Sequence, residues 1–153
     1  MGKRLFTLEV KLLHGRGRRF PQTKKGGITR TIAIRGEHKL EKLHDAIFSA
    51  FDRFDTHLYQ FEFGAGPHDR DAVIYEIDYE PDPFANRGGF VEDTRIGDLN
   101  LEVGAKFWYR FDFGDDWYHE ITVIDIGEPE PKTRYPKVVD RAGKSPPQYP
   151  SVI

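Results

Sequence analysis

The sequence has 153 residues, no cysteine, 14% aromatic residues and a net charge of −2. A chain of this length predicts one domain over residues 1–153 with a core large enough to be stable without cross-links. The lack of cysteine excludes disulfides, thiol nucleophiles and thiolate zinc sites. No apolar run approaches the roughly 20 residues of a membrane helix, and Glu9 and Lys11 interrupt the apolar start, so we expect no membrane span, no signal peptide and a cytoplasmic location.

The charge is distributed unevenly along the chain. Residues 1–35 contain ten Lys or Arg and one acid, which gives this part a charge of +9 and leaves −11 for the remainder. Such asymmetry suggests a polyanion partner for the basic end. The alternative is a solvated edge whose charges prevent aggregation, and an acidic body would repel nucleic acid.

The first third of the chain predicts two strands joined by a long loop. Residues 4–13 and 28–35 alternate in hydrophobicity with the period of a strand. Residues 14–27, HGRGRRFPQTKKGG, are rich in glycine and basic residues and are interpreted as a mobile basic loop.

A helix is predicted over residues 39–52. Its apolar residues recur with a period of 3.6 and form one stripe, with His44 at the margin; the stripe contains Leu40, Leu43, Ile47, Ala50, Phe51 and Phe54.

Beyond the helix, two segments predict strands and two predict loops. Residues 57–63 and 72–79 alternate as strands, whereas 80–94 is interpreted as a loop and 96–101 as a short turn. The proline-punctuated end, residues 140–153, is expected to be an extended and weakly ordered tail.

Residues 105–126 carry the strongest packing signal and predict a β-hairpin. Aromatic residues alternate with Trp108, Arg110 and Asp112 up to Phe113, which gives one aromatic face and one mixed face. Gly114, which tolerates positive φ, and the aspartates after it predict the turn.

The order of elements predicts an α+β fold, in which one main helix packs on a largely antiparallel mixed sheet of roll-like form. The strand–helix–strand step at residues 28–63 also allows a parallel pair joined by a right-handed crossover.

Three segments resemble the plasmid pRiA4b ORF-3-like family. They are LEKLHDAIFSAFDRFDTHLYQFEF at 40–63, IGDLNLEVGAKFWYRFDFGDDWYHEITV at 96–123 and YPKVVDRAGKSPPQY at 135–149. The most specific match is Phe113-Gly114-Asp115-x-Trp117-x-His119. In order and spacing, the resemblance covers most of residues 28–149.

The resemblance implies a compact α+β roll and no established activity, although some members carry mobile-element, resolvase-like or repressor-like labels. It singles out a motif cluster formed by His44, His57, Asp115, Asp116, Trp117 and His119. This chain departs from the family at Ser145, where a cysteine is usual, and at Gln148-Tyr149, where an acidic pair is usual.

Two histidines and the turn aspartates suggest one enzymatic hypothesis. His57 and His119 are each expected at the first position of a strand, on its apolar face. With Asp115 they would hold a divalent metal or act in acid–base catalysis. The alternative is that both rings only hydrogen-bond turn carboxylates and close the rim of the core. Because no local metal motif is present, the sequence predicts no cofactor, no bound metal and no catalytic residue, and it favours a non-enzymatic protein.

The leading interpretation is a small binding module whose partner is nucleic acid. Trp108, expected to be exposed, and the basic side chains would form a stacking and phosphate-binding surface; its residues are Arg16, Arg18, Arg19, Lys24, Lys25, Arg30, Trp108 and Arg110. A protein-interaction adaptor that uses exposed sheet edges is a further alternative.

Overall fold

The computed structural model describes residues 4–149. Within them lie one α-helix, a single 3₁₀ turn at Ile96–Asp98 and nine strands. The helix α1 is Leu40–Ala50, and the strands β1 to β9 are Leu5–Gly15, Arg18–Arg19, Thr29–Arg35, Tyr59–Phe63, Val73–Glu76, Arg87–Phe90, Lys106–Phe111, Trp117–Gly127 and Lys137–Ala142.

All nine strands belong to one sheet with the order β6-β5-β4-β7-β8-β1-β3-β9, and β2 pairs with the end of β1. Only β5 and β6 pair in parallel. The predicted α+β fold is therefore confirmed. The parallel pair that the strand–helix–strand step would allow does not form, because β7, β8 and β1 lie between β4 and β3.

Helix α1 lies on the apolar face of this sheet. The predicted stripe is confirmed for Leu40, Leu43, Ile47, Ala50 and Phe51, which are buried. Phe54 was wrongly included, because the helix ends at Ala50 and Phe54 is 72% exposed. No side chain caps the helix at its start. Instead, its first backbone N–H groups, those of Leu40 and Glu41, donate to carbonyl groups of residues 94 and 91, which satisfies donors that every helix leaves open.

The aromatic strands form the core beneath the helix. Phe107, Tyr109 and Phe111 of β7 are at most 1% exposed, and Trp117 of β8 is 2% exposed. We call this helix-covered side of the sheet the inner face. On the opposite, outer face, Trp108 and Tyr118 pack with Leu13 in a separate small cluster. Phe113 lies in the turn and is 40% exposed, so the buried aromatic face ends at Phe111, one alternating position earlier than expected.

Three strands were not predicted from the sequence. β2 lies in the expected basic loop and pairs with His14 and Gly15. β6 lies in the expected 80–94 loop, and β9 lies at the expected start of the tail and pairs with β3. All three are short edge strands with weak hydrophobic alternation. The residues after 149 lie outside the described part of the chain. Among residues 4–149 no helix is long and apolar enough to cross a membrane.

Candidate functional site

The turn between β7 and β8 is shaped by aspartates rather than by its glycine. Asp112 and Asp116 have φ values of 61° and 54°, whereas Gly114 does not adopt positive φ. The Asp112 carboxylate accepts hydrogen bonds from the backbone N–H groups of Gly114 and Asp115 at 3.2 and 3.3 Å. Aspartate tolerates the left-handed region because its short side chain bonds locally. The role expected for Gly114 was wrong.

The other turn carboxylates point to different elements. Asp115 forms an ion pair with Arg16 at 2.7 Å, and Asp116 forms one with Arg110 at 2.8 Å. These pairs connect the turn to the β1–β2 hairpin and to the outer face. Neither carboxylate is the partner of His57.

His57 lies two residues before β4 and contacts Tyr149, which follows the strands in the chain. Its Nε2 is 2.7 Å from the Tyr149 hydroxyl, and the Asp112 carboxylate lies 3.4 Å from the same nitrogen. The Tyr149 hydroxyl donates to Asp55 at 2.7 Å, and this bond raises the pKa of Tyr149 to about 12. Since that hydroxyl donates to Asp55, His57 Nε2 must donate to the hydroxyl oxygen.

His119 and His44 are buried in the inner face. His119 is the third residue of β8, is 1% exposed, and faces the Tyr109 carbonyl with Nδ1 at 3.1 Å. Burial lowers its pKa to about 3. His44 stacks on Tyr59 with ring centroids 3.6 Å apart and bonds the Tyr109 hydroxyl, and burial lowers its pKa to about 4. Both rings are therefore neutral near pH 7.

The enzymatic hypothesis requires His57, Asp115 and His119 to converge, whereas these contacts give them different partners. His57 binds Tyr149, Asp115 binds Arg16, and His119 packs against Phe51 and Tyr109. No group of three metal-binding side chains is arranged around a common point within residues 4–149. His57 and His119 also do not open their strands, because β4 starts two residues later and β8 two residues earlier.

Five of the eight side chains assigned to the nucleic-acid surface are exposed. Arg18 and Arg19 form β2, Lys24 and Lys25 lie in the connection that follows, and Arg16 occupies the turn before them. Among these, Arg16 is held by its ion pair with Asp115. They lie within one stretch of ten residues, and whether this exposed basic stretch binds nucleic acid stays a prediction.

The other three are placed differently from what we expected. Trp108 is 3% exposed, so the prediction that it is an exposed aromatic residue was wrong. It packs with Tyr118 on the outer face, and the 64–72 loop covers this part of the sheet. The contact is made by His68, whose ring stacks on Tyr118 with the ring centroids 4.1 Å apart. Arg30 is 3% exposed and donates to the carbonyl groups of Thr29, Ala50, Ala142 and Gly143, which makes it a cap for the end of α1. Arg110 is half-buried and paired with Asp116.

A groove runs between the β2 region and residues 143–147. Two adjoining pockets of about 190 and 600 Å³ share Arg18, Phe20, Pro146 and Pro147 as walls. Trp117 lies at the base of the smaller pocket, and Arg16 and Lys144 extend the basic rim. We call this feature the proline groove. It combines an apolar floor with cationic edges.

Trp117 supports the groove from inside the core. A Cβ added to Gly15 would lie 2.0 Å from the Trp117 ring, so only glycine fits at this position of β1. The Arg53 guanidinium carbon lies 4.2 Å from the Trp117 ring centroid, within the range of a cation–π contact.

Residues 145–149 form a strap over the 51–57 segment, which the sequence did not predict. Ser145 donates to the Phe51 carbonyl at 2.8 Å, and Arg53 donates to the Pro146 carbonyl at 3.0 Å. Gln148 accepts from two backbone N–H groups, those of Phe54 and Asp55, and donates to the Asp55 carbonyl. These partners are about 93 residues apart in the chain, and no local pattern signals them.

A separate pocket of about 360 Å³ opens on the outer face. Glu62, His68 and Arg110 are among its lining residues. The Glu62 carboxylate accepts from the Tyr118 hydroxyl and the Gln60 amide, both at 2.8 Å. His68 bonds His14 through their Nε2 atoms at 2.9 Å. These polar groups satisfy one another.

The comparisons with known proteins agree on family and fold. The family model described as plasmid pRiA4b ORF-3-like protein matches residues 22–149. An uncharacterized protein, y4hQ of Sinorhizobium fredii, is 29% identical over 124 residues, which cover 79% of this chain. The match spans 58% of that relative's length.

A solved structure has the same fold. The crystal structure of MM3350, a protein of unknown function from Methanosarcina mazei Go1, superposes with a TM-score of 0.70 at 20% sequence identity. The match covers 97% of this chain and 74% of that one. At this identity the likeness concerns the fold alone.

Proposed function

This chain belongs to the plasmid pRiA4b ORF-3-like family, and we propose that it is a non-enzymatic module that binds single-stranded nucleic acid in the proline groove. The relatives described above have no assigned activity, so the proposal rests on the geometry of the groove. The observation that carries it is an apolar floor between cationic edges, one wall of which belongs to residues 1–35 with their charge of +9.

The groove matches the chemistry of a flexible polyanion. Arg18 and Lys144 are exposed at its rim and stand ready for phosphates, while Phe20, Pro146 and Pro147 offer apolar surface to bases. Proteins that bind single strands combine a cationic groove with aromatic side chains on which bases stack. The aromatic rings of this groove are Phe20 and Trp117, which are 7% and 2% exposed. The smaller pocket, about 190 Å³, lies below the roughly 300–1,000 Å³ of sites for whole drug-sized ligands, so it suits one ring of a longer chain.

The geometry gives less support to an enzyme. Within residues 4–149 no metal-binding arrangement forms around His57, as the enzymatic hypothesis requires, and its Nε2 is bound to Tyr149 rather than free for a substrate. A protein-interaction adaptor is an alternative of a different class. Among the described strands β9 pairs only with β3, so its other edge could take a strand from a partner protein.

The proposal is tested by titrating fluorescent single- and double-stranded oligonucleotides at several salt concentrations. We expect the single strand to bind more tightly, with log affinity falling by about 0.7 per phosphate contact per decade of salt. Arg18→Glu should weaken binding and reduce that slope by about one contact.

Arg70→Glu is the matched control, because Arg70 is an exposed arginine on the outer face and the charge change is the same. Equal affinities for Arg18→Glu and Arg70→Glu would contradict binding in the groove. A duplex preferred over the single strand would contradict the class of ligand.

A further inference from the structure

Arg53 is a buried guanidinium whose hydrogen bonds are mostly missing. The residue is 7% exposed, and Nη1 donates to the Pro146 carbonyl, but Nε and Nη2 have no partner among the described residues. No carboxylate of residues 4–149 lies within ion-pair distance of it. Burial lowers the pKa of Arg53 to about 10, which still leaves it charged at neutral pH.

Two neighbours of Arg53 also carry unpartnered polar atoms. Trp117, which stacks with the guanidinium, buries its indole Nε1–H without an acceptor, and His119, two residues along β8 on the same face, buries Nε2 without a partner. Because His119 Nδ1 faces the Tyr109 carbonyl, Nδ1 carries the proton and Nε2 presents a lone pair. The cluster therefore offers three unpartnered donor nitrogens, one acceptor and one positive charge.

Arg30 shows how this fold treats a buried arginine that serves structure alone. Its guanidinium is equally buried and makes four hydrogen bonds to carbonyl oxygens. Arg53 makes one. An unpaired buried charge and unmade buried hydrogen bonds are both costly, so such a cluster calls for a bound group. Water would satisfy the hydrogen bonds but not the charge.

We propose that Arg53, Trp117 and His119 form a binding site for a phosphate group that retains a proton. Phosphate oxygens would accept from Arg53 and the Trp117 indole, and the remaining P–OH would donate to His119 Nε2. Sulfate fits less well, because it carries no proton at neutral pH and would set an oxygen lone pair against that of His119.

The strap forms one side of the proposed site, because the Pro146 carbonyl binds Arg53. Pro146, whose carbonyl holds Arg53, also lines the proline groove, and Trp117 lines the same pocket. In this structure the unpartnered atoms have no solvent contact, so a phosphate reaches the cluster only when the strap moves away from Arg53. A free phosphate ion and the terminal phosphate of a monoester share the required chemistry. The inference stands whether or not the groove binds nucleic acid.

The test measures the Tm of the full chain at pH 7 while inorganic phosphate or sulfate replaces chloride at constant ionic strength. We expect Tm to rise with the logarithm of the phosphate concentration above its Kd, and much less with sulfate, because a ligand that binds only the folded state stabilises it by RT ln(1 + [L]/Kd). Both ions also stabilise proteins nonspecifically by exclusion from the surface, so sulfate is the matched control.

Two tryptophan variants isolate the indole N–H. Trp117→Phe keeps an aromatic ring but removes one donor, and it should weaken phosphate binding roughly tenfold or more. Trp108→Phe removes an equally buried and unpartnered indole N–H away from Arg53, and it should leave the response unchanged. Phosphorus NMR on the wild type and Arg53→Lys gives a second readout, with a bound signal expected only in the wild type.

Equal Tm responses to phosphate and sulfate would overturn the proposal. So would equal phosphate affinities of the Trp117→Phe and Trp108→Phe variants, or a bound phosphorus signal that survives Arg53→Lys. Repeating the titration with adenosine monophosphate assigns the source: a response equal to that of the free ion identifies a monoester terminus, and no response identifies the free ion.

Discussion

The two faces of the β7–β8 hairpin bury their polar groups in different ways. On the outer face, the Tyr118 hydroxyl donates to Glu62, the His68 backbone N–H donates to that hydroxyl, and His68 bonds His14. On the inner face, side chains at Arg53, Trp117 and His119 leave donors and an acceptor without partners. The indole N–H of Trp108 is the exception on the outer face.

The difference follows from what covers each face. Helix α1 and the strap close the inner face, where His119 is 1% exposed, and water has little access there. The 64–72 loop covers the outer face, and a pocket beside it stays open. Polar groups sealed under a helix depend on the partners that the fold or a ligand supplies, whereas groups near an open pocket also meet water.

The largest expected effect compares the two tryptophans. Trp117→Ala should lower the free energy of unfolding by about 3–5 kcal/mol, because it empties a space in the main core. Trp108→Ala should cost less, since Trp108 belongs to a separate cluster of three buried residues and not to the main core. Urea unfolding of both variants measures the difference. A larger loss for Trp108→Ala would show that the outer cluster is the main support.

The next effect concerns pH. His44 and His119 have pKa values lowered to about 4 and 3 by burial, so below the unfolded value of 6.5 the unfolded chain binds more protons. Stability is full above pH 6.5 and is lost as the pH falls, by about 2 kcal/mol per histidine at pH 5. Urea unfolding between pH 7.5 and 5 measures this loss.

The variant His119→Gln should remove part of that pH dependence. On the outer face, burial lowers the pKa of His14 but Asp116 favours its charged form, so His14→Gln should change the pH dependence less. An equal change in both variants would remove the distinction between the faces.

The smallest effect tests the strap that seals the inner face. Gln148→Ala leaves the backbone N–H groups of Phe54 and Asp55 without their acceptor and should cost about 1–3 kcal/mol. Hydrogen exchange at these two amides should accelerate, while exchange in β7 should change only as far as global stability falls. Unchanged exchange at residues 54 and 55 would show that the strap is not what protects them.

Local pattern determined the fold class and the hairpin. The 3.6-residue stripe of α1 and the alternation of Phe107, Tyr109 and Phe111 each act between near neighbours, so period alone locates them. The family resemblance was likewise carried by a contiguous motif, Phe113 to His119. Placement of edge strands was harder, because β2, β6 and β9 are short and have little apolar alternation to detect.

Only the tertiary structure decided the partners of the polar side chains. The sequence grouped His57, Asp115 and His119 by motif, but Tyr149, Arg16 and Tyr109 are their actual partners. Nor did the sequence distinguish Arg30, a helix cap, from Arg18, an exposed rim residue. The physical reason is range: alternation fixes which face of its own strand a side chain takes, whereas hydrogen bonds between residues about 90 positions apart depend on how the whole sheet and strap are assembled.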